Sequence, residues 1–469
     1  MLKSGQDLRE MRIELGISQA RLAEISGVEQ HKISAFELNK TSLDDHSVKK
    51  LLDVISNTEE FAPEIKRKKR YRGHSYSSQK NDSKRTAKAA RVTGNIDYLA
   101  DLSLLDLVKR DGPIAISLFS GIGGFSLGFQ SAGYNVVGFA ELADDLAEIY
   151  QVNFPNTKRI GSDVAEIRSD AIENVIREVG AVDIIIGGPP CQGFSLSGKR
   201  DVNDPRNYLF QEYMRIVDLV RPKVVIVENV RLLTSMRSKD GGFVKDQILA
   251  DLDKCGYTAD LYEVDASEYG VPQARNRVFF MGVRRDLGVQ PSFPAPDFGG
   301  RADLFTSRAP CRSFADACSD LPYLESGDSS NDPFHVAVKH PDHVIEWLWD
   351  VPEGASAHDN EDPALRPPSG YNTTYKRQVW LEPASTVQTT FGMISGCRNV
   401  HPIATRSLTV REAARIQSFP DTFKFVGSMG TIRTGIGNAV PPLLARKIAL
   451  HLRSTLFDLV EVPSLKVEL

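Results

Sequence analysis

The sequence predicts an α/β protein: a doubly wound, mostly parallel sheet, with a small all-α module in front and an irregular domain inserted before the chain returns to the sheet. Three observations carry this. Short, near-continuous apolar runs recur from Pro113 onward, the pattern of strands buried on both faces. Helix-like stretches such as 144–153 and 208–220 lie between them, as a sheet with crossover helices requires. Residues 286–405 then lose this periodicity and are rich in Pro, Gly, Ser and Asp.

The bulk properties bound the reading. The chain's 469 residues exceed the roughly 100–200 residues of one domain, and 41% apolar content suffices for a sizeable core. The net charge of -4 does not advertise a nucleic-acid binder, but the average hides a basic run near the N-terminus. No apolar stretch approaches the roughly 18 residues that cross a bilayer, and the N-terminus lacks the apolar core of a secretory signal, so a cytosolic protein is expected. The five cysteines are Cys191, Cys255, Cys311, Cys318 and Cys397. An odd count without a C-x-x-C pair points to free thiols and away from zinc, and no metal is expected.

Taken in order, residues 1–60 read as a helical module and residues 61–112 as a linker. The linker carries KRKKRYR from Lys66 to Arg72, then Lys80, Lys84, Arg85, Lys88 and Arg91. This composition suits a solvated tether, with nonspecific phosphate contacts as the added functional reading. Strands are expected at 114–119, 135–140, 182–188, 223–230 and 278–284. The division that follows is a cofactor-binding and catalytic domain over 113–285, the irregular domain over 286–405, and a return to the sheet over 406–469.

Four motifs sit at expected strand ends. Phe119-Ser-Gly-Ile-Gly-Gly-Phe125 supplies glycines, Gly121, Gly123 and Gly124, that let backbone approach a ligand at a helix N-terminus. Alone it fits any nucleotide site or a tight turn. Glu141 and Asp163, at later strand ends, could accept from ribose hydroxyls and from an exocyclic amine, which together favour an adenosine-containing cofactor. Gly187-Gly-Pro-Pro-Cys-Gln-Gly-Phe-Ser195 leaves a buried strand through prolines that fix the backbone, holding Cys191 where ligands bind in such sheets. Glu228 ends the next apolar strand, a position for a proton donor. In Gln273-Ala-Arg-Asn-Arg277, strand alternation places Gln273, Arg275 and Arg277 on one face, suited to a polar ligand or phosphate.

These segments, SLFSGIGGFSLGF, GGPPCQGFS, ENV and QARNR, followed by RSLTVREAARIQSFPDTF (406–423) and GNAVPPLLA (437–445), resemble in order the motif series of DNA cytosine-5 methyltransferases, from about Ile114 to the C-terminus. The resemblance implies a Rossmann-like methyltransferase fold, S-adenosyl-L-methionine as cofactor and double-stranded DNA as substrate. By this resemblance Phe119, Gly121, Gly123, Gly124, Glu141, Asp163, Pro189 and Asn438 hold the cofactor. Cys191 is the nucleophile, Glu228 the acid at the cytosine's N3 and amino group, and Arg277 and Arg275 face the target base. Ser195 and Arg406 contact DNA, residues 192–206 form a loop that closes over it, and residues 286–405 are the target-recognition domain. A restriction-modification role follows, with a monomeric catalytic part, in the cytoplasm of a bacterium and associated with its nucleoid. Ser117 stands where the family often has Asp, and Asn207 where glycine is frequent.

Residues 8–40 have their own resemblance, to a Cro/repressor-type helix-turn-helix. Leu8, Met11 and Leu15 share a face, Ser18 suits an N-cap, and Leu22, Ala23 and Ile25 point inward. Gly27 supplies the turn, and Ile33 and Phe36 anchor the recognition helix. The resemblance implies that Gln30, His31 and Lys32 reach DNA and that Gln19 serves a phosphate contact. Operator DNA is then the head's partner, bound as a dimer and regulating the enzyme's own gene. A protein–protein module is the alternative.

A tRNA cytosine methyltransferase is the near rival, opposed by the repressor-like head and the large recognition region. A regulator with an inactive methyltransferase half is the distant one, opposed by the intact Cys191, Glu228 and Arg277.

Overall fold

The computed structural model describes residues 4–14, 19–37, 41–56, 96–102, 112–190, 209–237, 241–299 and 308–458. The basic tether, Leu15, Ser18, Cys191, the 192–206 loop with Ser195, and Asn207 lie outside the described residues. The chain divides into two compact units, residues 1–83 and 84–469.

The first unit contains four helices among the described residues: α1 (Gly5–Glu14), α2 (Gln19–Ser26), α3 (Gln30–Glu37) and α4 (Asp45–Ser56). Leu8, Leu22 and Ile33 are fully buried and meet Val28, Leu51, Val54 and Ile55, with Ala23, Ile25 and Phe36 packed against them. Gly27 takes φ 67° between α2 and α3, the left-handed conformation glycine adopts most cheaply. Met11 departs from expectation: it is 37% exposed. Leu51, Val54 and Ile55 of α4 help close a core that the sequence reading built from the first three helices alone.

The second unit is a seven-stranded sheet. Its strands are β1 (Ile114–Leu118), β2 (Asn135–Ala140), β3 (Lys158–Gly161), β4 (Ile184–Gly187), β5 (Val224–Val230), β6 (Tyr257–Asp265) and β8 (Asn276–Arg284), in the order β3-β2-β1-β4-β5-β8-β6. β1 to β5 are parallel, and β8 runs antiparallel to both β5 and β6. Alternation along each strand builds two cores. Val224, Ile226, Phe279 and Met281 face one side, and Val225, Val227, Val278 and Phe280 the other. The first core takes α5 (Gly124–Ser131) and α14 (Pro442–Leu452) through Phe125, Phe129, Leu444 and Ile448. The second takes α7 (Ser169–Val179), α8 (Leu209–Val220) and α9 (Val244–Lys254) through Ile172, Tyr213, Val217, Ile248 and Leu252. Helices thus cover both faces, which is why the strands read as continuous apolar runs. Helix α6 (Asp144–Asn153) connects β2 to β3.

Strand order reverses between β1 and β4, so the crevice outside their C-terminal ends is the place where such sheets bind ligands. The expected strands all form. β6 and β3 lack the continuous apolar run that marks the other strands. β6 lies at one edge and β3 at the other, and both carry charged or half-exposed residues of the kind edges require.

Residues 286–405 contain α10 (Phe314–Cys318), α11 (Asp342–Leu348) and the two-residue strand β9 (Ala384–Ser385), which pairs with β7 (Gln273–Ala274). Phe314, Trp380, Val387 and Phe391 join the same core as the sheet. With few ladders available, buried carbonyls need other partners, and Arg377 supplies them. Its guanidinium donates to the carbonyls of Leu348, His401, Ile403 and Ala404 and to the Thr405 hydroxyl.

Helix α12 (Val410–Ile416) follows, with a capping box between Thr409 and Glu412. The expected DNA contact of Arg406 is overturned here. Arg406 is 1% exposed, and both its terminal nitrogens donate to Glu412 at 2.9 and 2.6 Å, while Nε donates to the Leu324 carbonyl. Its role is internal. Among the described residues no helix is long and apolar enough to cross a membrane.

Candidate active site

The C-terminal ends of β1, β2, β4 and β5 open into a cavity of about 600 Å³, within the range of small-molecule sites. Phe119 follows β1 with φ 52°, Gly121 with φ 55° and Gly123 with φ 94°. A left-handed phenylalanine stores local strain of the kind that clusters at functional sites. Gly123 is the N-cap of α5, and a Cβ there would lie 2.4 Å from the Phe154 ring. Glu141 pins the turn, accepting from the Gly121 N–H at 2.8 Å through one oxygen and from the Ala143 N–H at 3.0 Å through the other. Asp163 accepts from the Ala165 N–H through Oδ1.

Phe119, Gly121, Gly124, Glu141, Asp163, Pro189 and Asn438 all line the cavity, together with Glu228, Arg275 and Arg277. Gly123 does not; it shapes the turn. The donor set fits an adenosine-containing cofactor, with carboxylates at two successive strand ends and apolar Phe119 and Leu142 beside them. Several lining residues escaped the sequence reading. Leu142 is 68% exposed at the rim, a solvent-facing apolar side chain no periodicity marks. Asn229 donates through Nδ2 to the Pro189 carbonyl at 2.9 Å, tying the Pro-Pro turn to β5. Its signal was its place beside Glu228 on a buried strand. Ser120 donates its hydroxyl toward the carbonyls of Ser117 and Ala140, bracing β1 against β2.

Glu228 and Arg277 meet at the cavity floor. In the β5–β8 register Glu228 opposes Phe279 and Val230 opposes Arg277. Arg277 is therefore diagonal to Glu228 on one face, within reach of a long side chain. Arg277 Nε lies 3.0 Å from Glu228 Oε1, with side-chain exposures of 15% and 12%. Burial lowers the Arg277 pKa, partly offset by the Glu228 carboxylate.

Gln273 and Arg275 part from the expectation of three donors facing one ligand. The strand breaks between them and Arg277: Gln273 belongs to the β7–β9 pair and is fully buried. Arg275 is 1% exposed and gives its terminal nitrogens to the carbonyls of Val387 and Gly437. Both terminal nitrogens of Arg275 are thus engaged by carbonyls, and of the two arginines Arg277 is the one paired with Glu228.

In the helix-turn-helix module, Gln30, His31 and Lys32 open α3 and are exposed, with His31 and Lys32 near Glu29. Gln19 is half-buried, and its side-chain nitrogen donates to Glu37 at 2.7 Å beside the Arg12–Glu37 pair.

Residues 114–454 match the profile of the C-5 cytosine-specific DNA methylases. The chain belongs to that family. It is an enzyme, a DNA (cytosine-5) methyltransferase, and its family uses S-adenosylmethionine. Residues 8–60 match a helix-turn-helix profile, so both parts make DNA its partner. Among its relatives, Type II methyltransferase M1.HphI of Haemophilus parahaemolyticus is 37% identical over 340 residues, 71% of this chain and 85% of that protein. Type II methyltransferase M.DdeI of Desulfomicrobium norvegicum is 35% identical over 71% of this chain and 87% of that one. A DNA modification methyltransferase encoded within an E. coli prophage shares the fold at TM-score 0.57 and 26% identity, covering 73% of this chain and 99% of that structure.

Proposed function

We propose that this methyltransferase modifies cytosine within a specific duplex sequence, through a covalent adduct of Cys191 with a base turned out of the helix, as the modification partner of a Type II restriction system. The observation that carries the reading is the Glu228–Arg277 pair at 3.0 Å on the floor of a cavity walled by the Pro189-Pro190 turn that leads into Cys191. The names of the similar Type II enzymes support the restriction-modification setting.

Carbon 5 of cytosine is a poor nucleophile. Addition of the Cys191 thiolate to carbon 6 turns carbon 5 into an enamine carbon, splitting one hard step into easier ones. Glu228 donates a proton to N3 as that bond forms, and Arg277 holds the carboxyl in place. Once carbon 5 has taken the methyl group, its proton passes to a base such as water, the thiolate is eliminated from carbon 6 to release Cys191, and N3 returns its proton to Glu228. Glu141 and Asp163 would hold the cofactor's ribose and adenine, with Phe119, Leu142 and Asn438 lining the same cavity. The cofactor supplies an electrophilic methyl group on a sulfonium. Reaching this site takes the base out of the stack, at a cost of a few kcal/mol.

Glu228→Gln tests the acid. An amide still meets the base but is a poor proton donor, so DNA binding is retained while single-turnover methyl transfer slows by roughly 10²–10⁴-fold. A near-normal rate would remove Glu228 from that role.

The head has a separate task in this reading. A methyltransferase with its own recognition domain gains from a second reader if that reader binds an operator near its own gene, as a dimer on half-sites about one helical turn apart. The basic tether lets the two parts work on separate DNA sites. Removal of residues 1–90 spares methylation and abolishes a footprint over the gene's promoter. Gln30→Ala with His31→Ala abolishes the footprint with the head still folded. Loss of methylation on truncation, or an unchanged footprint, would contradict the regulatory reading.

A further inference from the structure

The fate of Gln273 and Arg275 has a functional reading of its own. Both polar groups of the Val387 backbone are gripped by this one motif. The Val387 N–H donates to Gln273 Oε1 at 2.9 Å, and the Val387 carbonyl accepts from Arg275 Nη1 at 3.2 Å. The Thr386 hydroxyl donates to the Ala274 carbonyl between them. Val387 lies within the 286–405 insert.

The same two side chains also hold the opposite partner. Arg275 Nη2 donates to the Gly437 carbonyl at 2.9 Å. Gln273 Nε2 donates to Gln417 Oε1 at 2.6 Å, and Gln417 Nε2 donates in turn to the Ile436 carbonyl at 2.6 Å. Gly437 belongs to helix α13 (Met429–Asn438), whose Gly435 and Asn438, with Ala439 and Val440 after it, form a wall of the cavity. The insert presses directly on that helix: a Cβ on Gly437 would lie 2.4 Å from the Thr389 nitrogen. Arg275 and Gln273 are buried, and burial depresses the Arg275 pKa, with Arg277 adding to the effect. Arg277, two residues on, is the partner of Glu228.

We infer that Gln273 and Arg275 are positioning residues that couple the recognition insert to the cofactor pocket and the base site. The inference rests on the proposed recognition role of the insert. A shift of the 386–392 segment on binding its DNA sequence reaches the Asn438 wall through Gly437 and the Glu228–Arg277 floor through the chain between Arg275 and Arg277. Affinity for the correct sequence and affinity for the cofactor are then linked, and linkage acts equally in both directions. Arginine suits the site because its planar fork presents two separate nitrogens in fixed directions, a geometry that the single nitrogen of lysine does not reproduce.

The test measures binding of S-adenosylhomocysteine to the full-length protein in the presence of two duplexes: one bearing the sequence the wild-type enzyme methylates, mapped by bisulfite sequencing, and one scrambled. Wild type binds the cofactor product more tightly with the mapped duplex. In Arg275→Lys that preference falls by about fivefold or more, while the variant remains folded by its melting transition. Gln273→Ala is read the same way and stands in if Arg275→Lys does not fold. An unchanged preference in a folded variant, or no preference in wild type, overturns the coupling. Lost methylation with the preference intact would return Arg275 to the base. If wild type methylates no DNA, the proposed function fails instead.

Discussion

Cys191→Ala abolishes methyl transfer, with single-turnover rates falling by roughly 10⁴-fold or more, the scale seen when a covalent nucleophile is removed. Without the thiolate, carbon 5 of cytosine has no route to enamine character, and neither Glu228 nor the cofactor replaces that electron push. The cavity walls come from Phe119, Glu141, Asp163, Glu228 and Asn438, so affinity for S-adenosylhomocysteine and the thermal transition stay near wild type. Labelled methyl incorporation into DNA, with equilibrium binding of the cofactor product, checks both parts. Turnover within about tenfold of wild type would remove Cys191 from the nucleophile's role.

The second large effect is on stability. Arg406→Ala leaves the Glu412 carboxylate buried without its bidentate partner, and breaking a buried pair in this way costs about 3–5 kcal/mol. Urea unfolding reads the loss directly. A variant of unchanged stability with weakened, salt-sensitive DNA binding would instead restore the DNA contact first expected of Arg406. The same cluster sets the acid limit. Burial pushes His340 down to about 4, with Arg406 adding to the effect, and its Nε2 accepts from the Ser407 N–H, which requires the neutral ring. A histidine lowered on folding protonates first in the unfolded chain. Its contribution is full above the unfolded value of 6.5 and is lost as pH falls toward 4, about 2 kcal/mol by pH 5. Burial would raise the Glu412 pKa, but Arg406 more than offsets it and holds it low. Its contribution is present above the ordinary carboxylate value and fades only at still lower pH. Urea midpoints therefore drop between pH 6.5 and 5, before Glu412 titrates.

The sheet was legible because strands covered on both faces write themselves as apolar runs. Val224–Val230 and Ile184–Gly187 carry that signature, and the edge strands Lys158–Gly161 and Tyr257–Asp265, half exposed, do not. Part of the cavity lining was legible as well, since Glu141 and Glu228 each end a readable strand, whereas Asp163 follows the short edge strand. Arginines were where sequence logic failed. Arg275, Arg377 and Arg406 are all buried against carbonyls or Glu412, whereas composition rules place arginine at the surface or on phosphate. An irregular insert leaves many buried carbonyls unpaired by ladders, and a long forked donor is what satisfies them. That need arises from tertiary structure and leaves no local pattern.

The central claim is a covalent path through Cys191, and a duplex carrying 5-fluorocytosine at the mapped target tests it most directly. Fluorine does not leave carbon 5 as a proton does, so elimination stops and the cysteine stays bonded to carbon 6. With S-adenosylmethionine present, the expected result is a protein–DNA complex that survives denaturing electrophoresis and is absent in Cys191→Ala. No such complex with an enzyme that methylates the unfluorinated duplex would contradict it.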